Sequence, residues 1–221
     1  MLCYAVSLGL ISYDQAYEIQ RRIHARRLRR EVPDVVLLLE HYPVVTIGKS
    51  GSIENLLVSL EDLRRAHVSL FFTDRGGDVT YHGPGQLVFY PILDLREHGK
   101  DLRMYVYRLE EVFIETLKDF SIDAKRHDSH RGVFVDSRQI VAIGIAIKRW
   151  ITMHGAAFNV KIDPGAFSII NPCGLKGLEA ASLEGVLGRP VQIDSVKGRI
   201  LRHFSSLFRL SIEEKSLSEV L

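Results

Sequence analysis

The pattern of apolar and polar positions along this chain alternates between the helical period and the two-residue period of strands. Ala16, Ile19 and Ile23 recur at helical spacing behind Ser12, which stands three residues before Gln15 as in a capping box. Residues 13 to 30 are therefore predicted to form an amphipathic helix, ended by Pro33. VVLLLE (35 to 40) and VVTIG (44 to 48) are short apolar or β-branched runs parted by His41-Tyr42-Pro43, and they predict two buried strands. A short helix near 60 to 67 and a strand over 68 to 74 come next, the strand stopping at a glycine pair. QLVFYPILDL (86 to 95) returns to an extended apolar pattern in which Pro91 marks an edge or a bulge. Asp101 then caps a helix whose Leu102, Val106, Leu109, Phe113 and Leu117 form the stripe that a helix turns toward a sheet. GVFVD (132 to 136) and QIVAIGIAI (139 to 147), joined by Ser137-Arg138, predict a hairpin, with ITMHGAAFNVKI (151 to 162) as its next antiparallel neighbour. Residues 195 to 208 predict a closing helix. No repeat or linker interrupts the pattern, so the expected class is α+β in a single domain over residues 1–221: a mixed, mostly antiparallel sheet with helices packed on it.

Composition narrows the function rather than the fold. With 221 residues, 46% apolar and 25% charged, the chain can bury a substantial core. The net charge of +2 is concentrated in RRIHARRLRR (21 to 30), which reads as a solvated helix face or as a docking patch for an acidic partner, not as a nucleic-acid surface. No apolar run approaches the roughly 20 residues that cross a bilayer. The opening MLCYAVSLGLISYD lacks the basic start and cleavage site of a signal peptide, so a cytoplasmic protein without membrane contact is expected. Cys3 and Cys173 are the only cysteines, too few for a disulfide framework, so a cysteine that matters here matters as a thiol. The nine histidines are scattered, and His127-Asp128-Ser129-His130 reads as a loop, so neither a metal nor a cofactor is expected.

Three segments carry candidate chemistry. Arg75-Gly76-Gly77-Asp78-Val79-Thr80-Tyr81-His82-Gly83-Pro84-Gly85-Gln86 follows a strand, and its glycines let main-chain groups approach a ligand while Arg75, Tyr81 and His82 supply donors. Its spacing is neither GxGxxG nor a P-loop. In Asn171-Pro172-Cys173-Gly174-Leu175 the flanking proline and glycine predict a tight turn that presents the thiol. His154-Gly155-Ala156-Ala157 sets three small residues in a strand, where another group could pack against bare backbone.

Together these segments resemble the octanoyl-carrier-protein:protein N-octanoyltransferases, within the wider biotin and lipoate protein ligase superfamily. LLLEHYPVVTIG, RGGDVTYHGPGQLVFYPILDL, GVFVDSRQIVAIG, HGAAFNV and INPCGLKG occur in that family's order, so the resemblance covers most of residues 1 to 190. It implies transfer of an octanoyl group from octanoyl-acyl carrier protein to Cys173 as a thioester. A lysine of a lipoyl domain, in a 2-oxoacid dehydrogenase or the glycine cleavage H protein, would then receive the group. It also implies a substrate pocket built from Arg75, Gly76, Gly77, Asp78, Val79, Thr80, Tyr81 and His82, from Ala142, Ile143 and Gly144, and from Gly155, Ala156 and Ala157.

One position departs from the family. Where its members carry a lysine that lowers the pKa of the cysteine, this chain has Gln139, which can donate a hydrogen bond but brings no charge. Arg138 is predicted to face the other side of the strand, and Lys148 lies too far along it. The openings left are activation by His82 or His154, a slower enzyme that manages with Gln139, or an impaired relative that only binds acyl carrier protein or lipoyl domains. An ATP-dependent lipoate-protein ligase is the catalytic alternative; such an enzyme has no need of the INPCG thiol.

Overall fold

The computed structural model describes residues 1–171 and 179–221. Cys173 and the turn predicted around it lie outside the described residues. In chain order the elements are β1 (Leu2–Ile11), α1 (Tyr13–Leu28), β2 (Asp34–His41), β3 (Val44–Ile47), α2 (Leu60–Arg65), β4 (Ser69–Phe72), β5 (Val79–His82), β6 (Gln86–Ile92) and α3 (Leu102–Lys118). There follow β7 (Lys125–Arg126), β8 (Gly132–Val135), β9 (Arg138–Lys148), β10 (Ile151–Asn159), α4 (Leu183–Leu187), α5 (Ile193–Phe208), β11 (Ser211–Glu214) and α6 (Leu217–Val220).

The larger sheet runs β11-β1-β2-β6-β10-β9-β8-β7, and the smaller runs β4-β3-β5. Pairing is antiparallel from β2 through to β7 and parallel only at β11-β1-β2; in the small sheet β3 is parallel to β4 and antiparallel to β5. The predicted α+β class with a mixed, mostly antiparallel sheet is what the chain forms. The apolar runs of β2 and β6 are continuous because both faces of the sheet are covered. Val36, Leu38, Leu87 and Phe89 join the core under α3 and α5, while Val35, Leu37, Leu39, Val88 and Ile92 join the core under α1 and α6. Phe89 meets Phe113 and Phe204 edge to face, with centroids at 5.9 and 5.1 Å; such pairs add roughly 0.5–1.5 kcal/mol each beyond the area they bury. No helix among the described residues is long and apolar enough to cross a membrane.

Several element ends differ from the sequence pattern for local reasons. The Ser12 hydroxyl donates to Gln15 Oε1 at 2.9 Å and caps no backbone N–H, so the expected capping box is not formed. Helix α1 ends at Leu28, ahead of Pro33: Arg30 takes φ +61°, and Glu31 N–H reaches back to Arg26 O while Arg30 N–H reaches Arg27 O, a Schellman closure. The β8–β9 turn is Asp136-Ser137, both at positive φ (48° and 67°) as a type I′ turn requires, and Arg138 already belongs to β9. Leu102, the first residue of the α3 stripe, is exposed.

The arginine run does not form one face. Arg27 is buried and donates to Asp34 at 2.8 Å and Glu97 at 2.7 Å, while Arg26 pairs with Glu31 and donates to Val220 O. Asp34 also accepts from His98 Nε2 at 2.6 Å. These arginines fasten α1 to the start of β2 and to the segment after β6, so a docking patch that includes Arg27 is not what the fold provides.

Candidate functional site

The small sheet leans on the large one where the glycine-rich segment returns from β4 to β5. Arg75 organises this loop from inside. Its Nε and Nη2 donate to Thr46 Oγ1 (3.2 and 2.9 Å), and Nη2 also donates to the carbonyls of Thr46 and Asp78, both at 2.7 Å. Glycine is required where the loop crosses neighbouring backbone: a Cβ on Gly48 would lie 2.3 Å from Gly77 O, and Gly77 itself has φ +88°. Gly76 N–H donates to Ile145 O at 2.8 Å, stapling the loop to β9. That contact falls beyond Ala142, where β9 has left its partner β8. The Asp78 carboxylate turns away to accept from Ser52 N, Asn55 Nδ2 and Val79 N.

Under the loop lies a pocket. Arg75, Gly76, Gly77, Asp78, Val79, Thr80 and His82 form one side of it, with Ala142, Ile143 and Gly144 of β9 and Gly155, Ala156 and Ala157 of β10 on the other. Of the residues expected there, Tyr81 is absent. Strand alternation sends its ring to the opposite face of β5, against Phe167 at 5.7 Å between centroids. The structure adds Tyr13, Tyr90 and His154. Tyr13 and Tyr90 come from α1 and β6, and no local motif announces them; a tyrosine at the first position of an amphipathic helix is the only hint.

Three histidines stand around the inner end, and the bonding fixes their protons. Thr46 Oγ1 accepts from Arg75, so its own hydrogen is free to point at His82 Nε2, 3.5 Å away. His82 Nδ1–H then donates to Gln86 Oε1 at 2.7 Å, and Gln86 Nε2 donates to Asn159 Oδ1 at 2.9 Å. A chain of neutral groups thus links the loop to the far side of β10. His41 accepts from the Tyr90 hydroxyl at Nε2 (2.9 Å) and donates to Ile11 O at Nδ1 (3.1 Å). His154, at φ +57° and almost fully buried, donates from Nε2 to Asp74 at 2.8 Å and stacks on Tyr17, leaving Nδ1 without a partner among the described residues. The small residues after His154 line the pocket, and the Cβ position of Gly155 faces Phe89 O and Pro91 of β6. Neither His82 nor His154 is a charged neighbour for a thiol, because burial, before any other cause, holds both imidazoles neutral.

This burial predicts a pH dependence. His41 is pushed down from 6.5 to about 4 by burial, against the pull of the Ile11 carbonyl, and His82 and His154 are depressed as well. Depressed folded-state values mean that the unfolded chain takes up protons first. Stability is then full above about pH 6.5 and falls as pH drops toward the folded values. For His41 alone the loss approaches roughly 3 kcal/mol near pH 4. Asp74, held down to about 2 chiefly by the His154 hydrogen bond, weakens the fold only below its ordinary 3.8 and stays out of this window. Urea midpoints should therefore decline steadily from pH 7 to pH 4.5, and a flat profile would contradict the assignment.

Gln139 does not line this pocket. It sits at a small cleft with Gln86, Asn159 and Glu179, sharing Ala142 with the pocket wall. Its Nε2 donates to Arg131 O at 3.2 Å, its N–H donates to Glu179 O at 2.8 Å, and its carbonyl accepts from Ala181 N at 2.9 Å. Glu179, six positions after Cys173 in the sequence, is therefore bound directly to the strand position where the family resemblance led to the expectation of a lysine. Arg138 is half exposed beside Asp136, and Lys148 lies at the far hairpin end paired with Ile151, so neither replaces that charge.

A profile describing the lipoyl protein ligase A/B catalytic domain matches residues 12–205. A protein of Caldicellulosiruptor saccharolyticus named octanoyltransferase is 47% identical over 225 residues, spanning 100% of this chain and 94% of its own length. One of Desulforamulus reducens with the same name is 41% identical, with 100% and 98% covered. Among solved structures, the bi-partite lipoate protein ligase of Thermoplasma acidophilum superposes with a TM-score of 0.77 at 17% identity, covering 100% of this chain and 90% of its own. Lipoate-protein ligase A bound with ATP gives 0.77 at 16% identity, with 100% and 92% covered. At such identities the superpositions speak for the fold alone.

Proposed function

The chain belongs to the lipoyl protein ligase A/B catalytic-domain family, with named octanoyltransferases as full-length relatives, and on that premise we propose that it transfers octanoyl groups in protein lipoylation. The donor is octanoyl-acyl carrier protein, and the acceptors are lysines on the lipoyl domains of 2-oxoacid dehydrogenases and of the glycine cleavage H protein, in the cytoplasm. The thiolate of Cys173 attacks the thioester carbonyl and expels the carrier thiolate, which takes up the proton released from Cys173. The lysine amine then attacks the new thioester, the amide forms, and the Cys173 thiol is regenerated as the amine gives up its proton. Thioester exchange is nearly isoenergetic and aminolysis runs downhill, so no ATP is needed. Backbone N–H groups of the glycine-rich loop are the candidate stabilisers of the tetrahedral oxyanion.

The observation that carries this reading is the convergence of the RGG loop, β9 and β10 on one pocket walled by glycine and alanine, a shape suited to an unbranched chain. The deciding experiment mixes the protein with octanoyl-acyl carrier protein without nucleotide. It follows intact mass by spectrometry, then adds a lipoyl domain. An octanoyl adduct that moves to the domain is expected; no adduct, or transfer only when ATP is supplied, would overturn the proposal.

Gln139 sets the rate. An ordinary thiol near pKa 8.5 is only a few per cent thiolate at neutral pH. A lysine at this position increases the thiolate population, but each tenfold gain is offset by about a threefold loss of intrinsic nucleophilicity. Gln139→Lys should therefore speed acyl-enzyme formation at pH 7 by roughly threefold to tenfold and move the alkaline rise of the rate to lower pH. Equal single-turnover rates for the two proteins would reject a kinetic role for this position.

A further inference from the structure

A second, open groove meets the pocket at the stapled loop, sharing Gly76, Gly77, Asp78, Ile143 and Gly144 with it. Its far wall is the start of α3, with Leu102, Arg103 and Val106, and one end is closed by Ser129, His130 and Arg131 ahead of β8. Two arginines share its lining. Arg126, by contrast, is engaged by Glu110 and Glu111. Arg103 and Arg131 are exposed and, among the described residues, have no ion-pair partner. The one carboxylate in the lining, Asp78, is already engaged by three donors on the other side of the loop. Arg131 gives its carbonyl to Gln139, which leaves its guanidinium to the groove. Leu102, Ile143 and Ile145 give the groove an apolar flank.

The groove therefore offers positive charge unpaired by protein, an apolar side, and a common wall with an acyl site. An acyl thioester that fills the pocket must lead its thiol arm out beside this wall. We propose that the groove holds that arm and that the arm is phosphorylated: a phosphopantetheine chain, with Arg103 and Arg131 on its phosphate and Leu102 and Ile143 along its length. The proposal rests on the transferase reading and deepens it by assigning where the carrier's prosthetic arm lies. A guanidinium fits a phosphate in charge-assisted, forked hydrogen bonds, and such contacts at an exposed groove weaken with salt.

The test uses the whole protein and four small molecules: phosphopantetheine, pantetheine and the octanoyl thioester of each. In ligand-observed NMR titrations phosphopantetheine is expected to bind at least about tenfold more tightly than pantetheine. That preference should shrink as salt is raised and disappear in the double variant Arg103→Ser/Arg131→Ser, whose thermal melt shows whether it is folded. Equal affinities in the parent protein, or a preference kept by the folded double variant, would overturn the assignment, as would tight binding of ATP without binding of phosphopantetheine. The two thioesters separate this outcome from failure of the transferase reading. Octanoyl transfer with no phosphate preference removes the groove assignment and leaves the enzyme, whereas a phosphate preference with no octanoyl transfer removes both the enzyme and this role for the groove.

Discussion

Replacing Cys173 with alanine is expected to abolish the octanoyl adduct and to lower transfer to a lipoyl domain by about four orders of magnitude or more, the usual consequence of removing a covalent nucleophile. The structure makes this a clean experiment, because the other cysteine cannot substitute. Cys3 is fully buried in the central core, and burial, followed by the nearby Asp34 carboxylate, pushes its thiol far above the usual range. An adduct detected on the parent protein is thus assigned to Cys173 by its loss in Cys173→Ala, with Cys3→Ala retaining it. Persistence of the adduct in Cys173→Ala would mean that the chemistry uses another group, and the ping-pong scheme would fall.

The second large effect concerns Gly155. A Cβ there would lie 2.2 Å from Phe89 O and 2.6 Å from Pro91 Cδ, so backbone on the neighbouring strand would have to move. Both strands are central to the large sheet, and Ala156 pairs with Phe89 at the adjacent position. Forcing β10 away from β6 would loosen that pairing, the Phe89 aromatic cluster and one wall of the pocket together. Gly155→Ala is expected to cost about 3 kcal/mol or more, at the upper end of overpacking effects. In a chain of this size that corresponds to a fall in Tm of roughly 6–12 °C. Gly198→Ala is the matched control, since its Cβ meets nothing within 4 Å inside α5 and alanine favours helix. A Gly155→Ala protein as stable as its parent would show that the two strands are less tightly seated than the geometry states.

Much of this arrangement is legible along the chain. The α3 stripe, the β8–β9 hairpin and the glycine-rich loop are local patterns, and the structure places each near the residues expected. Of the pocket walls, the RGG and GAA segments show in the sequence itself where side chains are small, whereas Ala142, Ile143 and Gly144 were expected there only from the family resemblance. Tyr81 was misplaced because it was read as part of a wrapping loop, whereas residues 79 to 82 form a strand whose alternation turns it away. Strand β1 carried no clear signal. Its pattern is broken by Ser7 and by Gly9 at φ +65°, where the register with β2 shifts. Tyr13, His41 and Tyr90 reach the inner end of the site from three separate elements, and only the packing of α1 over β2 and β6 brings them together. Pro91, read as an edge or bulge marker, occupies an interior strand. It is tolerated because the ladder to β10 lapses beside it, where Thr152 Oγ1 donates to Pro91 O and Gly155 leaves room for the proline ring.

Past Ala142, the side of β9 that faces away from β10 meets the glycine loop through Gly76. A long apolar strand with an unguarded side is a template for another chain to pair with. The loop that walls the pocket therefore also occupies the backbone of β9 at Ile145, where another strand could otherwise pair. Changes that unfasten Arg75 from Thr46 should, by the same release, make the protein prone to aggregate as well as inactive.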